Sequence, residues 1–172
     1  MKRRLIFICT TLLIFTSTSV TNISAATDTT NHRDEKRAVK FFNKIKNFNY
    51  KLNQQLAQKT KSAINKFKAN SQSVEEKSDN LKIYWSTFIN KINYLKNDQL
   101  EIYVTKEFKS LTHKKRAQIV DSVQRLALSH LEDFKAVTPY RSKTGLAASI
   151  FCDGDYLGRS LFLDNSNFKW ND

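Results

Sequence analysis

Apolar side chains recur along the first half of the chain at helical spacing. Phe41, Ile45, Phe48, Leu52, Leu56, Ala63, Ile64 and Phe67 follow one another mainly at steps of three and four, with Lys, Asn and Gln between them, which lays one apolar stripe along an α-helix. The first 138 residues contain neither Pro nor Gly, the two strongest helix breakers. A helix from Asp34 to Asn70 would be about 55 Å long at 1.5 Å per residue, too long for a core helix of a small domain. A second stripe follows in Leu81, Trp85, Phe88, Ile92 and Leu95, and Ser73 with Glu76 forms a capping-box pair ahead of it. The pattern predicts an antiparallel helical hairpin over residues 27–97, apolar stripes together and lysines outward, with one extended helix as the alternative.

The period changes near Leu100. Leu100, Ile102 and Val104 alternate with Glu101, Tyr103 and Thr105, a half-buried strand. Thr112 is placed as the N-cap of a helix with Ala117, Val120, Val123, Leu126, Ala127, Leu131 and Phe134 on one face. A loop from Val137 to Gly145 holds the only proline, and the runs Leu146 to Cys152 and Tyr156 to Leu163 then flank Asp153-Gly154-Asp155. Asp-Gly between apolar runs signals a two-residue hairpin turn with positive φ at both central positions. Phe151 would then face Tyr156 and Ile150 face Leu157, which leaves Arg159 awkwardly opposite Ala148. The expected fold class is α+β: the helical hairpin, then a small β-α-β-β domain over residues 98–172 whose antiparallel sheet packs one face on its helix. Trp170 is expected to dock the C-terminal tail on that domain.

The leading residues change the compartment. Lys2, Arg3 and Arg4 precede the apolar run LIFICTTLLIF, and Ser24-Ala25-Ala26 follows, the arrangement of a secretory signal peptide over residues 1–26, cleaved near Ala26 or after Ala25. Thr10, Thr11 and the polar run from Thr16 to Ser19 argue against a membrane anchor, which needs about 20 apolar residues. The expected location is outside the cell or on its surface. Cys9 would leave with the signal, so Cys152 would be alone and the mature chain requires no disulfide partner.

Charge divides the remainder. Residues 27–97 carry 15 Lys/Arg against 6 Asp/Glu, residues 98–172 carry 11 against 10, and ten basic residues without one acid lie between Lys36 and Ser73. Lys40, Lys44, Lys51, Lys59, Lys61, Lys66 and Lys68 are therefore candidate anion-binding residues. His113, Lys114, Lys115 and Arg116 are a second group: they oppose the helix macrodipole but converge with free backbone N–H groups. The alternative there is a solvated first turn softened by acids such as Glu107.

Catalytic signatures do not assemble. His32, His113 and His130 are isolated, and no HExxH, paired Cys/His spacing, glycine-rich phosphate loop or GxSxG occurs. Asp153 and Asp155 supply too few oxygens for calcium, and Cys152 reads as a small core side chain. No catalytic residue, metal or cofactor is expected.

The series IYVTKEFKSLTHKKRAQIVDSVQRLA, ASIFCDGDYLGRS and FKW resembles small exported proteins of low-GC Gram-positive bacteria. The resemblance implies the compartment and a small domain in which the hairpin and the FKW end belong together; it implies no activity and no site residues. The expected function is a secreted or cell-envelope-associated, non-enzymatic interaction protein whose basic helical segment contacts anionic wall polymers or a membrane surface. A protein partner on the helical segment and non-specific nucleic acid are further expected partners. The alternatives are a small secreted hydrolase or nuclease holding an anionic substrate, and a membrane-active helical protein.

Overall fold

The structure, a computed structural model, describes residues 27–69, 78–132 and 139–171; the expected signal peptide, the Ser73/Glu76 cap and Phe134 lie outside them. Contacts divide the chain after Arg37. In the first unit the opening turns of α1 carry an exposed Asp34–Arg37 ion pair of 3.9 Å. The elements are α1 (Thr27–Ala69), α2 (Leu81–Tyr84) running into a 3-10 turn (Trp85–Phe88), β1 (Ile89–Tyr94), β2 (Gln99–Val104), a second 3-10 turn (Lys106–Ser110), α3 (His113–Glu132), α4 (Pro139–Thr144), β3 (Ala147–Cys152), β4 (Asp155–Leu161) and β5 (Asp164–Trp170). The class is α+β, with more strands than the sequence pattern suggests.

The second predicted helix is the main correction. After one α-turn and one 3-10 turn the chain extends into β1, which pairs antiparallel with β2 through Ile92 opposite Ile102 and Tyr94 opposite Leu100. Leu81, Trp85, Phe88 and Ile92 are nevertheless all buried. Steps of three and four satisfy a helical turn followed by a strand as well as one helix, and the β-branched and aromatic INKINY gains more from pairing with β2. The helical hairpin is thus replaced by one helix lying against a sheet, and the expected division at residue 97 falls in the β1–β2 turn. There Asp98 takes a φ of 62° and accepts from the Tyr94 hydroxyl and the Arg141 guanidinium.

The strands lie in the order β1-β2-β3-β4-β5. Neighbours are antiparallel except β2 and β3, which are parallel, so the sheet is mixed rather than wholly antiparallel. The reason is the connection: α3 carries the chain back to the end where β2 began, and a strand entered from that end runs parallel to β2.

α1 meets the sheet at the free edge of β1. Phe48, Leu52 and Leu56 enter the core, with the Phe48 ring 4.9 Å from Tyr94 and edge-on to His130 of α3 at 6.3 Å. Asn49 accepts from the Tyr94 N–H at 2.7 Å and donates to its carbonyl at 3.0 Å. Asn53 does the same at Ile92, at 3.0 and 2.7 Å. The middle of α1 is therefore a core element despite its length, while Phe41 and Ile64 of the predicted stripe are exposed.

α3 covers the inner sheet face with Ile119, Val120, Val123, Ala127 and Leu131, and Thr112 caps it by accepting the Lys115 N–H at 3.4 Å. The β3–β4 turn has the expected form, with φ of 52° at Asp153 and 92° at Gly154 and Phe151 opposite Tyr156. A bulge then sets Ile150 opposite Gly158 instead of Leu157 and moves Arg159 opposite Ser149 on the outer face, which removes the misfit with Ala148. Residues 164–170 dock as an edge strand, β5, whose Trp170 packs against the core and lies opposite Gly158.

Candidate functional site: a cationic track from α1 to the start of α3

Because one side of α1 is committed to the core, its cations take the outer arc. Lys40, Lys44, Lys51, Lys59, Lys61, Lys66 and Lys68 are all exposed. Lys59 and Lys66 are seven residues apart and so share a face. With Gln58, Ser62 and Ala63 they form one wall of a groove of about 340 Å³ whose other wall is Lys82, Ile83 and Trp85. Lys82 also borders a larger cleft of about 820 Å³, together with Asp79, His113, Lys114, Asp121, Phe168 and Trp170. One exposed lysine on α2 therefore joins the two groups of cations. The sequence pattern does not single out Lys82, which stands outside the acid-free run.

The four basic residues that open α3 have separate fates. His113 and Lys114 face the larger cleft. Lys115 bonds to Asp79 at 2.7 Å and Ser78 at 3.1 Å, and this cation holds the Asp79 carboxyl below its ordinary range. Arg116 is only 6% exposed; its guanidinium donates to the Lys109 carbonyl at 2.5 Å and lies 5.5 Å from the Trp170 ring and 6.0 Å from Phe108. It is a packing residue, because a helix's fourth position turns back toward the core that Trp170 closes. Lys40, Lys44, Lys51, Lys61 and Lys68 line neither the groove nor the cleft.

The cleft combines charge with ring faces. The His113 imidazole lies near-parallel to the Trp170 indole at 6.1 Å, and Phe168 stacks on the same indole at 5.6 Å. Both bordering acids are bonded to cations: Asp79 to Lys115, and Asp121 to Arg125 at 2.8 Å. Lys82 and Lys114 therefore dominate the local field, and a bound anion would gain from them without displacing an acid. The Asp153 and Asp155 carboxylates are exposed and pair with Lys106 at 3.6 Å and Lys109 at 3.3 Å. Cys152 is buried, its thiol directed at the Thr105 carbonyl at 3.6 Å, and burial pushes its pKa up. Among the described residues no group of three or more His, Cys, Asp or Glu is placed to hold a metal ion.

Comparison with protein families, curated proteins and solved structures returns no match. The arrangement is a set of exposed basic side chains that leads from a helix face into a cleft lined by Phe168 and Trp170.

Proposed function

We propose that the protein is a secreted or cell-envelope-associated, non-enzymatic interaction protein that holds an anionic envelope polymer along this track. The observation that carries the reading is the position of Lys82, which borders both the groove of Lys59 and Lys66 and the cleft of His113 and Lys114. A polymer with a repeating negative charge meets cations along its length there, whereas a small anion would use one end only. The compartment rests on the signal-like first residues and on the resemblance to exported proteins. Among the described residues no helix is long and apolar enough to cross a membrane.

The test is binding of poly(glycerol phosphate) across a salt series by the wild type and by a Lys59→Glu, Lys66→Glu, Lys82→Glu variant, all three sites being exposed. Counterion release makes the logarithm of affinity fall with the logarithm of salt by somewhat under one unit per phosphate contact. The variant is expected to bind more weakly and to lose about two units of that slope. Unchanged affinity and slope would refute the track, and turnover of the polymer in the same assay would refute the non-enzymatic reading.

A further inference from the structure

The β4–β5 connection runs against turn chemistry. Its two central residues are Phe162 and Leu163, 89% and 82% exposed, and Leu161 beside them is 41% exposed. Hairpin turns of this length favour Asn, Asp or Gly, as the chain itself provides at Asp153-Gly154. Neither Phe162 nor Leu163 is among the residues with positive φ, and neither belongs to the core cluster. The fold makes no use of their side chains, yet leaves them in water, where a large apolar side chain gains nothing.

The surroundings of the tip are cationic. Arg159 and Lys169 face each other across β4 and β5, both exposed and on the same side of β4 as Leu161. Exposed Lys143 immediately precedes Thr144, whose carbonyl accepts from Ser166. The acid at the turn, Asp164, accepts from the Ser166 N–H and the Asn167 amide, and its single negative charge stands against these three cations. The base of the hairpin is also fixed: Gln124 donates to the Asn165 carbonyl at 2.9 Å, and the Asn165 amide to that of Gly145 at 3.1 Å.

We propose that the β4–β5 turn is a lipid-contacting tip, in which Phe162 and Leu163 enter the interface of an anionic membrane and Arg159, Lys169 and Lys143 contact its head groups. An apolar point within a collar of long cationic stems matches an interface in which hydrocarbon lies beneath negative charge. The same collar disfavours a second copy as occupant, since matching tips would bring like charges together. None of these residues belongs to the cationic track, so the tip is independent of polymer binding there.

The experiment uses the full chain with vesicles of phosphatidylglycerol or of phosphatidylcholine. A Phe162→Trp reporter is expected to shift its emission to the blue with phosphatidylglycerol and to be quenched by brominated acyl chains. The Phe162→Asn, Leu163→Asn double variant should keep its thermal melt and bind phosphatidylglycerol vesicles about tenfold more weakly. The Lys59→Glu, Lys66→Glu, Lys82→Glu changes, added to the reporter, should leave the quenching in place, which separates this site from the track. No quenching in phosphatidylglycerol overturns the proposal, as does a blue shift without vesicles that grows with protein concentration, the mark of a second copy on the tip.

Discussion

β1 and β5 are the two edges of one sheet, and they are closed by opposite means. Along β1 the work is done by two amides. Asn49 and Asn53 are one helical turn apart, about 6 Å of rise, while Ile92 and Tyr94 are two strand residues apart, about 6.7 Å. The near match lets two side chains of α1 meet four backbone groups of β1, as a sixth strand would. Along β5 the closure is irregular backbone. Pairing passes from Ser160 opposite Phe168 to Leu161 opposite Asp164, so residues 165–167 bulge out and bond to Gln124, Gly145 and Thr144. Both devices deny an incoming strand its template. The first depends on two amide side chains of a neighbouring helix, and the second on a bonded bulge and on the close crossing of Trp170 over Gly158.

The two dependences predict different weak points. Replacing both Asn49 and Asn53 by Leu keeps the branching of the side chain and strands four partly buried backbone groups, so a loss of about 4 kcal/mol is expected in urea unfolding, with Asn53→Leu alone costing about half. A loss below about 0.5 kcal/mol for the pair would show that water satisfies this edge as well as the helix does. At the other edge the vulnerable residue is Gly158, where an added Cβ would stand 2.5 Å from the Lys169 carbonyl oxygen and 2.9 Å from the Trp170 ring. Gly158→Ala should cost about 2–3 kcal/mol by overpacking and also perturb the near-ultraviolet signal of Trp170. A Gly158→Ala variant as stable as the wild type, with that signal intact, would show that β5 yields easily, and the contrast between the edges would collapse.

The same contrast explains what the sequence disclosed. The β3–β4 turn was legible because Asp-Gly encodes its own backbone, and α3 because its cap and stripe agree. The strand β1 was not, since Leu81, Trp85, Phe88 and Ile92 keep helical steps through a turn that opens into a strand. The missed signal is Asn97-Asp98, turn residues that end the apolar run before Leu100 resumes it. Asn49 and Asn53 read as ordinary polar positions of a basic helix, because their role exists only once β1 lies beside them. Of the site, the exposure of the α1 lysines followed from periodicity. The burial of Arg116 under Trp170 and the bridging place of Lys82 are tertiary facts with no local trace, and Phe162-Leu163 continues the apolar run from Tyr156 in sequence, an apolar turn that violates the rule by which turns are found.

The smallest expected difference between the edges concerns protons. The Asp164 carboxyl is held below its ordinary value of 3.8, first by the bond from the Asn167 side chain and then by the Ser166 N–H. A carboxyl depressed in the folded state adds stability that is fully present above its unfolded pKa and is lost as pH falls through the folded value. The β5 bulge should therefore loosen in acid below about pH 4, whereas the β1 edge, closed by amides that do not titrate there, should be unaffected by this route. The comparison is between the wild type and Asp164→Asn, in amide exchange of β5 and of Ile92 and Tyr94. The β5 gap between the two proteins should shrink between about pH 6 and pH 3, with Ile92 and Tyr94 alike in both throughout. A β5 gap that keeps its size on acidification would mean that the bulge is held by Gln124 and Asn165 alone, without help from the Asp164 charge.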